Sequence, residues 1–161
     1  MKDNLIKKIY EQGYPDTKTA PLVSLEEFFE GNDDEGSIGC NLMDHLGIHT
    51  FYSVLLEIKE KPNVQDVLVE IMEVEEEEYW PFSERIYILS NANPEEIEEW
   101  VKILEPDEIK EGYMFGKPPI APELYPNHKV FGVWWDWKKE SLYILDYTGT
   151  LFDADKAHYV K

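Results

Sequence analysis

The chain has 161 residues, of which 34 are acidic and 15 basic, giving a formal net charge of −19, and it has a single cysteine, Cys40. Such a field gives solubility, repels nucleic acid and anionic membranes, and attracts cationic partners. One thiol excludes an internal disulfide and a multi-thiolate metal site, and it suits a reducing, cytoplasmic setting. A hydrophobic fraction of 43%, with five Trp and ten Tyr, supplies a real core for one globular domain spanning 1–161, since a domain of this size buries about 70% of its unfolded surface. No run approaches the roughly 18 apolar residues of a membrane span, and the opening MKDNLIKKIYEQGYP lacks the apolar centre of a signal peptide.

Leu5, Ile6, Ile9 and Tyr10 share one face of a predicted helix over residues 3–12, which stops at Gly13-Tyr14-Pro15. Ser24 and Glu27 have the spacing of a capping box, opening a short helix with Phe28 and Phe29 that Gly31 closes. Residues 31–47 hold four glycines and read as a loop. A helix follows over about 50–60, with Phe51, Leu55 and Ile58 on its inner face.

Val64–Val74 reads as a strand, Glu75–Glu78 as an acidic run, and Arg85–Ser90 as the antiparallel return. Asn93, Pro94, Glu95 and Glu96 are a helix start, with Ile97, Trp100, Val101 and Leu104 as its buried face. Residues 106–112 suggest one more helical turn. Residues 113–128, with Pro118, Pro119, Pro122 and Pro126, suggest an ordered crossing loop. Val130–Trp137 and Leu142–Tyr147 are two further strands, expected to pair as a hairpin across Lys138–Ser141. The order predicts an α+β fold: an antiparallel sheet of about four strands with helices mainly on one face.

The stretch YILDYTGTLF (143–152) resembles the aspartyl nucleophile loop of haloacid-dehalogenase-type phosphatases and P-type ATPases, with Asp146 as the nucleophile. The resemblance fails on topology. In those enzymes the loop follows the first strand of a doubly wound sheet. Here eleven residues (161 minus 150) follow Thr150, and one parallel crossover alone needs a dozen or more. A strand ending in a Thr-Gly turn accounts for the spelling.

In EGNDDEGSIGCN (30–41), Glu30, Asn32 and Asp34 alternate as in a calcium loop. Glu35 stands where that loop needs Gly, and Asn41 stands where it needs Glu, leaving a nonstandard site through Asp33, Asp34 and Glu35 against a solvated acidic turn. Asp44, His45 and His49 are a possible zinc set, but Gly47 interrupts the helix and Leu46 replaces the glutamate of the HExxH motif. A Cys40–His45 nucleophile pair competes with a packed cysteine. No metal, catalytic or cofactor site is therefore expected. In the 130–137 strand, Phe131, Val133, Trp135 and Trp137 share one face, and Trp134 shares the other with Asp136. Trp80 and Trp134 are the candidate interface anchors.

The segments APLVSLEEFFEGNDDEGSIGCNL, WPFSERIYIL and WWD together resemble a family of small, uncharacterised bacterial proteins over about residues 20–136. That resemblance implies no catalytic residue. By analogy alone, a small acidic α+β chain is also similar to bacterial immunity proteins. The leading expectation is a non-enzymatic, cytoplasmic binding protein for a basic protein partner, contacted through Asn32, Asp33, Asp34, Glu35, Glu76, Glu77, Trp80, Trp134 and Asp136. The alternative is a small hydrolase or metal-dependent enzyme built on the 31–49 loop.

Overall fold

A computed structural model describes residues 1–76 and 78–136, and beyond them the backbone of three short strands. The elements, in order, are α1 (Lys2–Glu11), β1 (Leu22–Ser24), α2 (Leu25–Phe29), α3 (Ile48–Lys59), β2 (Val64–Glu70), β3 (Arg85–Ser90), α4 (Pro94–Val101), β4 (Glu108–Glu111) and β5 (Lys129–Trp134). These are followed by β6 (Tyr143–Leu145), β7 (Leu151–Asp153) and β8 (His158–Val160). The main sheet has five antiparallel strands in the order β1-β2-β3-β5-β4, and β6-β7-β8 form a separate three-stranded sheet. The fold is α+β, with one strand more in the main sheet than the sequence suggested.

The helix starts follow their caps. The Glu27 amide donates to Ser24 Oγ at 3.0 Å, and the Ser24 amide donates back to Glu27 Oε1 at 2.7 Å. Asn93 and Glu96 do the same for α4. Lys8 also donates to Glu27 Oε1, at 2.7 Å. Burial works to raise the Glu27 pKa, but the hydrogen bonds from Lys8 and Ser24 outweigh it and hold the carboxyl below its usual 4.5. A carboxyl lowered by folding contributes stability that is present above its unfolded pKa and lost as pH falls through the folded value. Ser24→Ala is accordingly expected to cost about 1 kcal/mol, and Glu27→Gln to flatten the acid limb of stability below pH 4.5. Urea titration across that range measures both.

Alternation along the strands sorts the sheet into two faces. Ile86, Ile88, Val67, Val69, Phe131, Val133 and Trp135 join Leu5, Ile9, Phe28, Phe51, Leu55, Ile97 and Val101 from the four helices in one core. Tyr87, Leu89, Leu22, Leu68 and Val130 face the other way, where Ala121 and Tyr113 of the 113–128 segment cover them. That second layer explains why all six residues of β3 are buried. The expected helix faces hold, except that Tyr10 is exposed, Trp100 is half-buried and Leu104 is buried from the 3-10 turn after α4.

Two expectations are corrected. Residues 108–111 form an edge strand and not a helical turn, because pairing with β5 (Ile109 opposite Val133, Lys110 opposite Gly132) satisfies more backbone than one isolated turn could. β5 does not pair with residues 143–145. Both of its edges are occupied, by β3 and β4, and Tyr143–Leu145 pairs with Leu151–Asp153 instead. In addition, β2 ends at Glu70, short of the expected Val74, and the chain continues through a lone bridge between Glu73 and Phe82. Asp146, the Lys138–Ser141 turn, Trp137 and Glu77 lie outside the described residues.

Candidate functional site

The 34–40 loop and the 73–82 turn come together to form a cleft of about 340 Å³ lined by Asp34, Ser37, Cys40, Glu73, Glu75, Tyr79, Trp80 and Phe82, with Gly36. Its walls are held by backbone groups. The Ser83 amide donates to the Ser37 carbonyl at 2.8 Å, and the Phe82 amide to the Glu73 carbonyl at 2.8 Å. Trp80 Nε1 donates to the Phe28 carbonyl at 2.9 Å, which fixes the indole against α2 and leaves one face to the cleft. On the loop side, the Asp34 carboxylate accepts from the Gly36 amide at 2.9 Å and starts a short 3-10 turn over Glu35–Ser37. Gly39 follows with φ +66°, and a Cβ there would lie 2.7 Å from Phe51 Cζ, so glycine lets the loop settle on the core.

Of the residues read from sequence, Asp34 and Trp80 meet in this cleft. Asp33 and Glu35 are exposed beside it, and Glu76 is exposed on the turn. Asn32 is different: at 4% exposure its amide donates to Ser37 Oγ at 2.9 Å and to the Phe28 carbonyl, while its oxygen accepts from the Asp34 amide. It braces the loop from beneath. Trp134 lies elsewhere, on the face covered by 113–128, with its ring 5.5 Å from the Arg85 guanidinium. Asp136 does not line the cleft: its amide donates to Asp107 Oδ2 at 2.8 Å, the oxygen that also accepts from Asn41 Nδ2 at 2.9 Å. The sequence reading missed Glu73, Glu75, Tyr79 and Phe82 as lining residues. Their signal was the interrupted alternation after Ile71, which the structure resolves as the Glu73–Phe82 bridge.

The chemistry of the lining is acidic and aromatic. Cys40 reaches solvent, but desolvation at the cleft wall, with the Glu84 charge adding to it, pushes the thiol up. It stays protonated at neutral pH, the opposite of an activated nucleophile. His45 is spent on the backbone. Its Nδ1 accepts from the Gly47 amide at 2.9 Å, which leaves Nε2–H to donate to the Ile38 carbonyl at 2.8 Å, and the ring stacks on Phe51. A ring with both nitrogens engaged offers no lone pair to a metal. Among the described residues no group of three or more His, Cys, Asp or Glu could hold a metal ion. On the turn, the Glu78 side-chain hydrogen bond comes first in pushing the Glu76 carboxyl up, followed by slight desolvation and the Glu75 charge, so these acids crowd one another.

Residues 1–133 match the model of the family described as the uncharacterized protein YfbO family. The chain belongs to that family. A relative from Escherichia coli (strain K12), the uncharacterized protein YfbO, is 40% identical over 123 residues, covering 76% of this chain and 86% of the relative. No solved structure matches the chain. The YfbO match begins at residue 1, earlier than the resemblance read from motifs, and it contains all the described residues that line the cleft, whereas Trp134 and Asp136 lie just beyond it. Among the described residues no helix is long and apolar enough to cross a membrane.

Proposed function

We propose that this is a non-enzymatic cytosolic binding protein that captures a basic protein partner in the acidic–aromatic cleft, in the manner of an immunity protein neutralising a cationic toxin. The observation that carries this reading is the lining itself: Asp34, Glu73 and Glu75 stand among Tyr79, Trp80 and Phe82, with no basic residue among the described residues of the lining. Carboxylates beside aromatic faces suit a lysine or arginine side chain, which gains about 0.5–2 kcal/mol over an indole depending on desolvation. The net charge of −19 would steer such a partner to the surface, and the cleft would set its register. Crowding of Glu75, Glu76 and Glu78 supports the same reading, because an arriving cation relieves it.

Exposed ion pairs contribute only about 0–1 kcal/mol each, so no single carboxylate is decisive. The expected result is a division of labour. Glu73→Gln with Glu75→Gln slows association and weakens its salt dependence, while Tyr79→Ala speeds dissociation and leaves the on-rate near wild type. Tyr79 is 55% exposed, so its removal spares the core. The experiment is a pull-down from the native cytosol followed by binding kinetics from low to high salt. Recovery of no basic partner, or an affinity indifferent to salt, overturns the proposal.

A further inference from the structure

The two edges of the main sheet are treated differently. At β1, the Gln12 side chain mimics a neighbouring strand: its Nε2 donates to the Leu22 carbonyl at 2.8 Å, and its Oε1 accepts from the Leu22 amide at 3.0 Å. That edge is blunted. At β4, no strand pairs with the outer side among the described residues. Glu108, Lys110 and Glu111 are exposed and Ile109 is half-buried. Alternate residues of an edge strand turn their backbone groups outward. The Gly112 amide points inward to the Val130 carbonyl at 2.8 Å, so by alternation Ile109 and Glu111 present their N–H and C=O groups outward.

Depressions flank this edge on both faces of the sheet. On the helix side, one of about 350 Å³ is lined by Glu98, Glu105, Asp107, Glu108 and Ile109, with Lys102 as the one basic group among the described residues. On the opposite side, one of about 160 Å³ is bordered by Tyr113, Met114, Gly132 and Trp134, with Glu108 and Glu111 beside Arg85 and Lys110. An extended peptide added to a sheet edge sends alternate side chains to opposite faces. The first depression suits a cationic side chain; in the second, Glu108 and Glu111 are matched by Arg85 and Lys110, which leaves the wall of Tyr113, Met114 and Trp134 to a small uncharged one.

We infer that β4 is a docking edge for an extended basic segment of a protein partner, which joins the sheet as a sixth strand and places lysine or arginine over Glu98, Glu105 and Glu108 and small apolar side chains beside Trp134. This edge is a second contact surface, lined by none of the residues that line the cleft. The main chain supplies affinity and the alternation supplies specificity.

The probe is a short peptide, blocked at both ends, that alternates lysine and valine. A control peptide has proline in place of alternate valines, which keeps the charge and removes backbone donors. Glu111→Pro removes an outward N–H at an exposed edge position, where proline is tolerated without loss of the inward ladder, and Glu111→Ala controls for the lost carboxylate. Amide shifts and affinity are followed by NMR. The expected result is shifts centred on residues 108–111, with about tenfold weaker binding for Glu111→Pro than for Glu111→Ala and a similar loss for the proline peptide. Glu73→Gln with Glu75→Gln leaves the 108–111 shifts and their titration unchanged, which separates them from capture in the cleft. Equal affinity of Glu111→Pro and Glu111→Ala, shifts confined to 73–82, or a β4 edge already paired with a second copy of the chain in sedimentation each overturn the inference.

Discussion

Arg85→Met is expected to cost about 3–5 kcal/mol, because it strips a buried carboxylate of its cation. Arg85 Nη1 donates to Glu70 Oε1 at 3.0 Å, Tyr87 donates its hydroxyl to the other Glu70 oxygen, and all three side chains are buried under the 113–128 segment. Burial raises Glu70 above 4.5, against the lowering pull of Tyr87 and Arg85. Removing Arg85 takes away part of that pull and raises Glu70 further. For a carboxyl raised by folding, the native state holds more protons than the unfolded chain between the two pKa values, so stability falls as pH rises through that window. The variant is therefore expected to lose stability steeply above pH 4.5, and more steeply than the wild type. Adding Glu70→Leu to Arg85→Met should recover most of the loss, since an apolar pair leaves no charge stranded. Denaturant unfolding in mildly acidic and mildly alkaline buffer decides the matter. A single variant no less stable than the double would mean that the pair is not coupled.

Trp135→Ala is the second large effect, at about 3–5 kcal/mol. Trp135 is 0% exposed, lies 5.5 Å from the Phe51 ring, and donates from Nε1 to the Leu104 carbonyl at 2.8 Å. It thus joins the end of β5 to α3 and to the turn after α4. Trp135→Phe keeps most of the ring and loses the donor, leaving the Leu104 carbonyl without that partner, at about 1–3 kcal/mol. Thermal unfolding of the two variants separates packing from hydrogen bonding. Near-equal losses would contradict the packing argument.

What was legible in the sequence was local. The caps of α2 and α4 are contained in four-residue spacings, and the inner faces of α3 and β3 follow from periodicity, so both could be read without partners. β4 could not. Its four residues between Pro106 and Gly112 have no strand signal of their own and become a strand because β5 offers backbone partners about 20 residues later in sequence. The hairpin expectation failed for the complementary reason: adjacency in sequence says nothing of an edge already taken by β3 and β4.

The cleft was half legible. Asp34 and Trp80 stood out by residue type, but their meeting depends on the Ser83–Ser37 backbone hydrogen bond and the Trp80–Phe28 contact, which leave no mark on composition. Asn32 read as a ligand because it sits in an acidic loop, and only the structure shows its amide turned inward to Ser37. Trp80 and Trp134 read alike in sequence, yet the sheet separates them: Trp80 packs against the helical core, and Trp134 stacks over Arg85 on the other face.

The central claim is that the cleft, and not the acidic surface at large, receives the cation. The direct measurement is an NMR titration with an arginine-rich peptide at low and at high salt, mapped residue by residue on the wild type and on Glu73→Gln with Glu75→Gln. The shifts expected in 34–40 and 73–82 are weakened by salt and largely lost there in the double variant, while any at the β4 edge, 108–111, persist. Shifts spread evenly over every acidic segment, with 95–99 responding as strongly as 73–82 and the 34–40 and 73–82 shifts of the double variant matching those of the wild type, would contradict the claim.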